Sequence, residues 1–99
     1  MMDEFNQFTG FQWDEGNVNK NLHKHHVENW ESEQIFFNEP LIIFDDPKHS
    51  YIEKRWAAFG KTDAGRRLTV IFTKRNSLIR VISARDMNRK ERMFYEKNG

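Results

Sequence analysis

The chain contains no cysteine, and only two prolines and five glycines among its 99 residues. Without cysteine there are no disulfides, no thiolate nucleophile and no cysteine-ligated zinc. Scarce proline and glycine leave no linker between units, so we expect a mobile lead-in over residues 1–10 and one domain over 11–99. No apolar stretch approaches the length that crosses a bilayer. The first ten residues carry Asp3 and Glu4 and no apolar run, so no signal peptide is expected. These absences point to a soluble, cytoplasmic protein. Neither a Rossmann glycine fingerprint nor a phosphate-binding loop is present, and Gly60 and Gly65 read as hairpin punctuation.

What is present is aromatic and charged. Aromatic residues make up 14% of the chain, which adds large buried areas to a modest apolar content of 37%. The net charge of +1 conceals an uneven distribution. Residues 1–47 hold ten acidic side chains and two basic ones, Lys20 and Lys24, whereas residues 48–99 hold fourteen basic and five acidic. Such asymmetry favours a polyanionic partner for the basic half, or an acidic half that folds back to neutralise it.

Periodicity divides the chain into helices, then strands, then a helix. Phe11-Gln12-Trp13 alternates as a short strand, after which Asp14 is placed to cap a helix running to about His25. A second helix is expected over Trp30–Phe37 with Asn29 as its cap, stopped by Asn38-Glu39-Pro40. Leu41–Phe44, Arg55–Phe59, Arg67–Thr73 and Leu78–Arg85 read as strands, with a hairpin turn at Lys74–Ser77. Leu68, Val70 and Phe72 fall on one face, and Arg67, Thr69, Ile71 and Thr73 on the other. Asn88 and Glu91 form a capping box before a last helix, whose Met93, Phe94 and Tyr95 are expected to meet the sheet. The pattern predicts an α+β fold: an antiparallel sheet with two N-terminal helices and a C-terminal helix, all on one face.

Several segments resemble the BrnT toxins. They are Phe11-Gln12-Trp13-Asp14, Asn21, Lys24-His25, Val27 and Phe36, then Asp46-Pro47-Lys48-His49-Ser50 with Glu53 and Arg55. Gly65-Arg66-Arg67-Leu68, Phe72-Thr73, Arg80-Val81-Ile82-Ser83-Ala84-Arg85, Glu91 and Tyr95 follow in the same order. The resemblance implies a fold like that of the RelE ribonuclease toxins, RNA cleavage that inhibits translation, and neutralisation by a BrnA antitoxin. The chain departs from the family pattern at Asn17, where lysine is usual nearby, and at His26, where glycine would serve as a left-handed helix stop.

Metal-independent RNA cleavage needs a base for the 2′-hydroxyl, an acid for the leaving oxygen, and cations for the phosphorane. His49 is the first candidate for proton transfer, with hydrogen bonding to Asp45 or Asp46 as its structural alternative. Glu53 is a candidate base, or a partner for Arg55. Arg67, Arg80 and Arg85 on adjacent strands are expected to converge on one phosphate, with Lys24, Arg55 and Arg66 as further RNA contacts. His23, His25 and His26 beside Lys24 point around a helix, so no metal site and no cofactor are expected. Trp13 and Trp30 are candidates for base stacking or for packing. The second function class compatible with these residues is a non-catalytic module that binds RNA or an antitoxin.

Overall fold

The computed structural model describes residues 8–49 and 52–99. Its elements are β1 (Gly10–Phe11), α1 (Lys20–His25), α2 (Asn29–Gln34), a 3-10 turn (Ile35–Phe37) and β2 (Ile42–Asp45). A second 3-10 turn (Pro47–His49), β3 (Trp56–Lys61), β4 (Arg67–Arg75), β5 (Leu78–Asp86) and α3 (Arg89–Asn98) complete the order. Among the described residues no helix is long and apolar enough to cross a membrane.

The sheet is mixed. Its strand order is β1-β5-β4-β3-β2, with β2 to β5 antiparallel and β1 parallel to β5. The expected antiparallel sheet is therefore corrected at one edge. Periodicity could not reveal that Gly10 and Phe11 lie beside Leu78 and Ile79, because that pairing is non-local. Of the expected lead-in, residues 1–7 lie outside the described residues. Phe8 packs on the core and the Thr9 amide donates to the Ser77 carbonyl at 2.9 Å.

The helices lie on both faces rather than one. Trp56, Phe72 and Val81 are cross-strand neighbours, and with Leu68, Val70, Val27 and Ile35 they form the core beneath α1, α2 and the first 3-10 turn. Phe59, Met87 and Tyr95 pack on the opposite face beneath α3. Cover on this second face, by α3 over Thr69 and by the loop at Lys54 over Thr73, explains why both are buried although they alternate with the apolar positions of β4. The Thr69 hydroxyl meets Glu91 of α3 at 3.0 Å, and the Thr73 hydroxyl donates to the Lys54 carbonyl at 2.6 Å. A bulge at Ile71/Phe72 pairs Ile71 with Ser83 and Phe72 with Val81, leaving Ile82 unopposed.

The N-terminal helices start elsewhere than the pattern suggests, α1 later and α2 one residue earlier. Asp14 caps no helix: its carboxylate accepts the Gly16 amide at 2.8 Å, and turns continue to Asn19 before α1 begins. α2 begins at Asn29, with Glu28 as its cap and the Glu31 side chain accepting the Glu28 amide. His26 takes the left-handed conformation, φ 58°, that the sequence comparison associates with a glycine stop. In α3 the capping box is formed as expected, but only Tyr95 is buried, and Met93 remains 63% exposed.

Asn17 and Asn21, both buried, complete the outer edge of β5 where β1 stops short. The Asn17 amide donates to the carbonyls of Gln12 at 2.9 Å and Val81 at 3.0 Å, while Asn21 accepts the Ala84 amide at 3.0 Å. Asn17→Ala should therefore leave two carbonyls unpaired, one of them buried, and lower unfolding stability by about 1–3 kcal/mol in a urea titration.

Glu91 ties α3 to the sheet through Arg85, with contacts of 2.7 and 2.9 Å. That hydrogen-bonded pair holds the Glu91 carboxyl below its ordinary range despite the opposing effect of burial. A depressed folded value stabilises the fold above the unfolded pKa and is lost as pH falls through the folded one. Melting from about pH 7 to about pH 3 should show Glu91→Gln less stable near neutrality, with the gap to wild type closing below about pH 5.

Candidate nucleic-acid interface

The arginines of the last two strands do not converge. Arg80 stands opposite Thr73 and Arg85 opposite Thr69, and four residues of β4 separate these rungs, about 13 Å at about 3.3 Å per residue. Arg67 lies at the Lys61 rung, near α3, and its Nε contacts Glu96 at 2.6 Å. Arg85 is held bidentately by Glu91. The expectation that Arg67, Arg80 and Arg85 grip one phosphate is thus corrected. Two of the three fasten α3, and the third sits at the other end of the hairpin.

Arg66 is likewise engaged in binding the fold together. Its guanidinium contacts Asp86 at 2.7 and 3.1 Å and Glu31 at 3.1 and 3.2 Å. It also donates to the His26 carbonyl at 2.9 Å and the His25 carbonyl at 3.4 Å. It joins the end of α1 and the start of α2 to β5, and the two carboxylates hold it firmly protonated. Lys24 is exposed on α1, with His23 and His25 in the same last turn. Among the described residues no three His, Asp or Glu side chains gather as metal ligands. Trp13 packs against the core and donates its indole N–H to Glu33 at 2.7 Å, while Trp30 is 56% exposed.

At the Arg80 end the chain assembles a different group. Arg80, nearly buried, donates to both Asp14 oxygens at 2.7 and 3.0 Å and to Gln12 at 3.1 Å. Gly16 makes this approach possible, since a Cβ there would lie 2.7 Å from an Arg80 nitrogen. Next to this pair, Arg75 holds Glu53 with contacts of 3.0 and 3.4 Å. The two pairs feel one another. Arg75 is foremost in lowering the Glu53 pKa, with Arg55 and Arg80 adding their charges, and Asp14 senses Arg75 beyond its own Arg80. Glu53, Arg55, Arg75, Arg80 and Asp14 therefore form one electrostatic cluster.

Of the predicted residues, Glu53, Arg55 and Arg80 come together here, whereas Arg66, Arg67, Arg85 and Lys24 do not. Glu53 pairs with Arg75, which the sequence reading assigned to a turn. His49 closes the 3-10 turn Pro47–His49, and its side chain lies outside the described residues, as do Ser50 and Tyr51. Arg75, Asp14 and Gln12 were missed. Register supplies the signal: in a two-residue turn at Asn76-Ser77, Arg75 pairs with Leu78 and lies two residues from Thr73, the partner of Arg80.

Residues 13–91 match the family of ribonuclease toxins, BrnT, of type II toxin–antitoxin systems. The chain belongs to the BrnT family. A ribonuclease toxin of such a system has RNA as its target and a protein antitoxin as its partner. No curated protein matches the chain. The matched segment spans Asp14, Glu53, Arg55, Arg75 and Arg80, so the cluster lies wholly within the part of the chain that defines this BrnT domain.

The Glu53 carboxylate offers a direct check on the cluster. Arg75→Ala should raise the Glu53 pKa towards the ordinary glutamate range, measured by NMR titration of its side-chain carboxyl carbon. An unchanged midpoint would show that Arg75 does not hold Glu53 in solution.

Proposed function

We propose that this BrnT protein cleaves RNA without a metal ion, through attack of a ribose 2′-hydroxyl on the adjacent phosphorus, at the Glu53–Arg55–Arg75–Arg80 cluster. The observation that carries this reading is a carboxylate held by Arg75 at 3.0 Å, within the field of Arg55 and Arg80, at one end of the β4–β5 hairpin. Glu53 takes the 2′-hydroxyl proton, and O2′ forms a bond to phosphorus while the bond to the 5′-oxygen breaks. His49 protonates that leaving oxygen, so the products are a 2′,3′-cyclic phosphate and a 5′-hydroxyl end. The arginines stabilise the added charge of the phosphorane, where fixed donors need no reorganisation. The lowered pKa keeps Glu53 ionised near neutrality, although it also weakens it as a base.

Arg80 is the most constrained of the three cations. Its bidentate hold by Asp14 sets the plane of the guanidinium and leaves phosphate contact to its remaining N–H groups and to the more exposed Arg75. Arg67 and Arg85 stand outside this group and fasten α3 to the sheet. In the cytoplasm, cleavage of RNA would inhibit translation, and a BrnA-type antitoxin would neutralise it. The tight carboxylate cover of Arg80 and Arg75 favours one other reading, a module of the same fold that binds RNA or antitoxin without cutting.

Incubating purified protein with RNA and excess chelator separates the two. Cleavage leaving cyclic phosphate ends is expected, with Glu53→Gln lowering kcat by about 10²–10⁴-fold. Because the base must be ionised, the acid limb of the wild-type profile should fall below the ordinary glutamate range. Intact RNA that is nevertheless bound with salt-sensitive affinity would establish the non-catalytic module.

A further inference from the structure

The cluster does not account for the cations of α3. This helix carries Arg89, Lys90, Arg92 and Lys97 against two acids, Glu91 and Glu96. Both acids face sheet arginines: Glu91 holds Arg85 and Glu96 holds Arg67. A shallow groove outside the sheet is lined by Arg67, Arg89, Arg92, Met93, Glu96 and Lys97. It sets four cations against one carboxylate, and that carboxylate is already paired with Arg67.

The helix dipole favours Lys97, in the last turn, but does not explain the cations of the first turn. Arg89 and Lys90 occupy the first turn after the Asn88 cap, where the positive end of the helix dipole disfavours cations by about 0.3–1 kcal/mol each. Arg92 donates to the Met87 carbonyl at 2.9 Å, but Arg89, Lys90 and Lys97 are exposed. Cations retained where the helix itself opposes them are suited to an anionic partner.

We infer that the α3 groove is a second, non-catalytic binding surface for the sugar–phosphate backbone of RNA. The inference rests on the ribonuclease reading only for the identity of the strand. The chemistry favours a nucleic-acid backbone over a protein. Among the described residues Met93 is the one apolar side chain lining the groove, whereas protein interfaces carry an apolar centre. A row of guanidinium and ammonium groups meets successive phosphates, and each contact releases counterions from the strand. α3 also covers the same sheet face that carries Thr73 and Arg80, so the groove and the cluster lie on one side of the hairpin. A single strand lying across this face would place one phosphate in the cluster while α3 holds the flanking nucleotides.

The test uses a 2′-O-methyl single-stranded RNA oligonucleotide, which cannot undergo 2′-hydroxyl attack, so binding is read apart from cleavage. The triple variant Arg89→Gln/Arg92→Gln/Lys97→Gln should reduce the slope of log affinity against log salt by about 2, at about 0.7 per lost contact. The double variant Arg89→Gln/Lys97→Gln spares the Arg92–Met87 hydrogen bond and should produce about two thirds of that change. On a cleavable dinucleotide, which cannot reach α3, the double variant should retain wild-type kcat/KM. On a longer RNA its KM should rise about tenfold while kcat holds. A wild-type slope and affinity in a folded double variant would overturn the α3 surface, whatever the protein's activity. A wild type that binds the oligonucleotide with an α3-dependent slope but cuts no RNA would overturn only the ribonuclease reading.

Discussion

The fold depends on how β5 is completed along its outer edge. The strand is nine residues long, yet among the described residues its ladder partners on that side are Gly10 and Phe11, with the Gln12 amide donating to the Ile79 carbonyl at 2.9 Å. An unpaired edge beside a buried core would leave backbone groups without partners. The chain meets this need with side chains. Asn17 takes the Val81 carbonyl, Asn21 gives an acceptor to Ala84, and Lys20 reaches the Ile82 carbonyl at 3.4 Å. The same segment carries Asp14 onto Arg80. Closing an edge and positioning an arginine are therefore one structural event.

The charge asymmetry is resolved mostly within the basic half. Four of the five acids after residue 47 hold arginines: Glu53 with Arg75, Asp86 with Arg66, Glu91 with Arg85 and Glu96 with Arg67. The acidic half contributes Asp14 to Arg80, Glu31 to Arg66 and Asp45 to Lys54. Arginine suits these roles because its planar fork donates to two carboxylate oxygens at once. Pairing does not remove the cations from the proposed chemistry. It fixes guanidinium planes at the cluster, and on α3 it turns both acids towards sheet arginines while Arg89, Lys90 and Lys97 remain exposed.

The separation of Arg80 from Arg67 and Arg85 divides the sheet face into two regions. One end gathers Glu53, Arg55 and Arg75 around the Asp14–Arg80 pair, and the other is covered by α3 through Glu91, Glu96 and Tyr95. Tyr95 anchors the helix by donating its hydroxyl to the Pro40 carbonyl. A helix fastened at three points is a stable platform for exposed cations, whereas the proposed chemistry sits where the sheet is covered by loops instead.

Much of this was legible in the amino-acid order, because it is local. The strands from β2 to β5, the alternating core of β4 and the Asn88–Glu91 capping box follow from short-range periodicity and from side chains reaching their own backbone. Glu53, Arg55 and Arg80 are candidates by residue type, and the fold brings them together. The placement of helices on both faces, the parallel β1, the edge role of Asn17 and the pairing of Arg75 with Glu53 were not legible. These depend on register and on contacts between residues distant in the chain: Asp14 meets Arg80 across 66 positions, and only three-dimensional packing decides which carboxylate reaches which arginine.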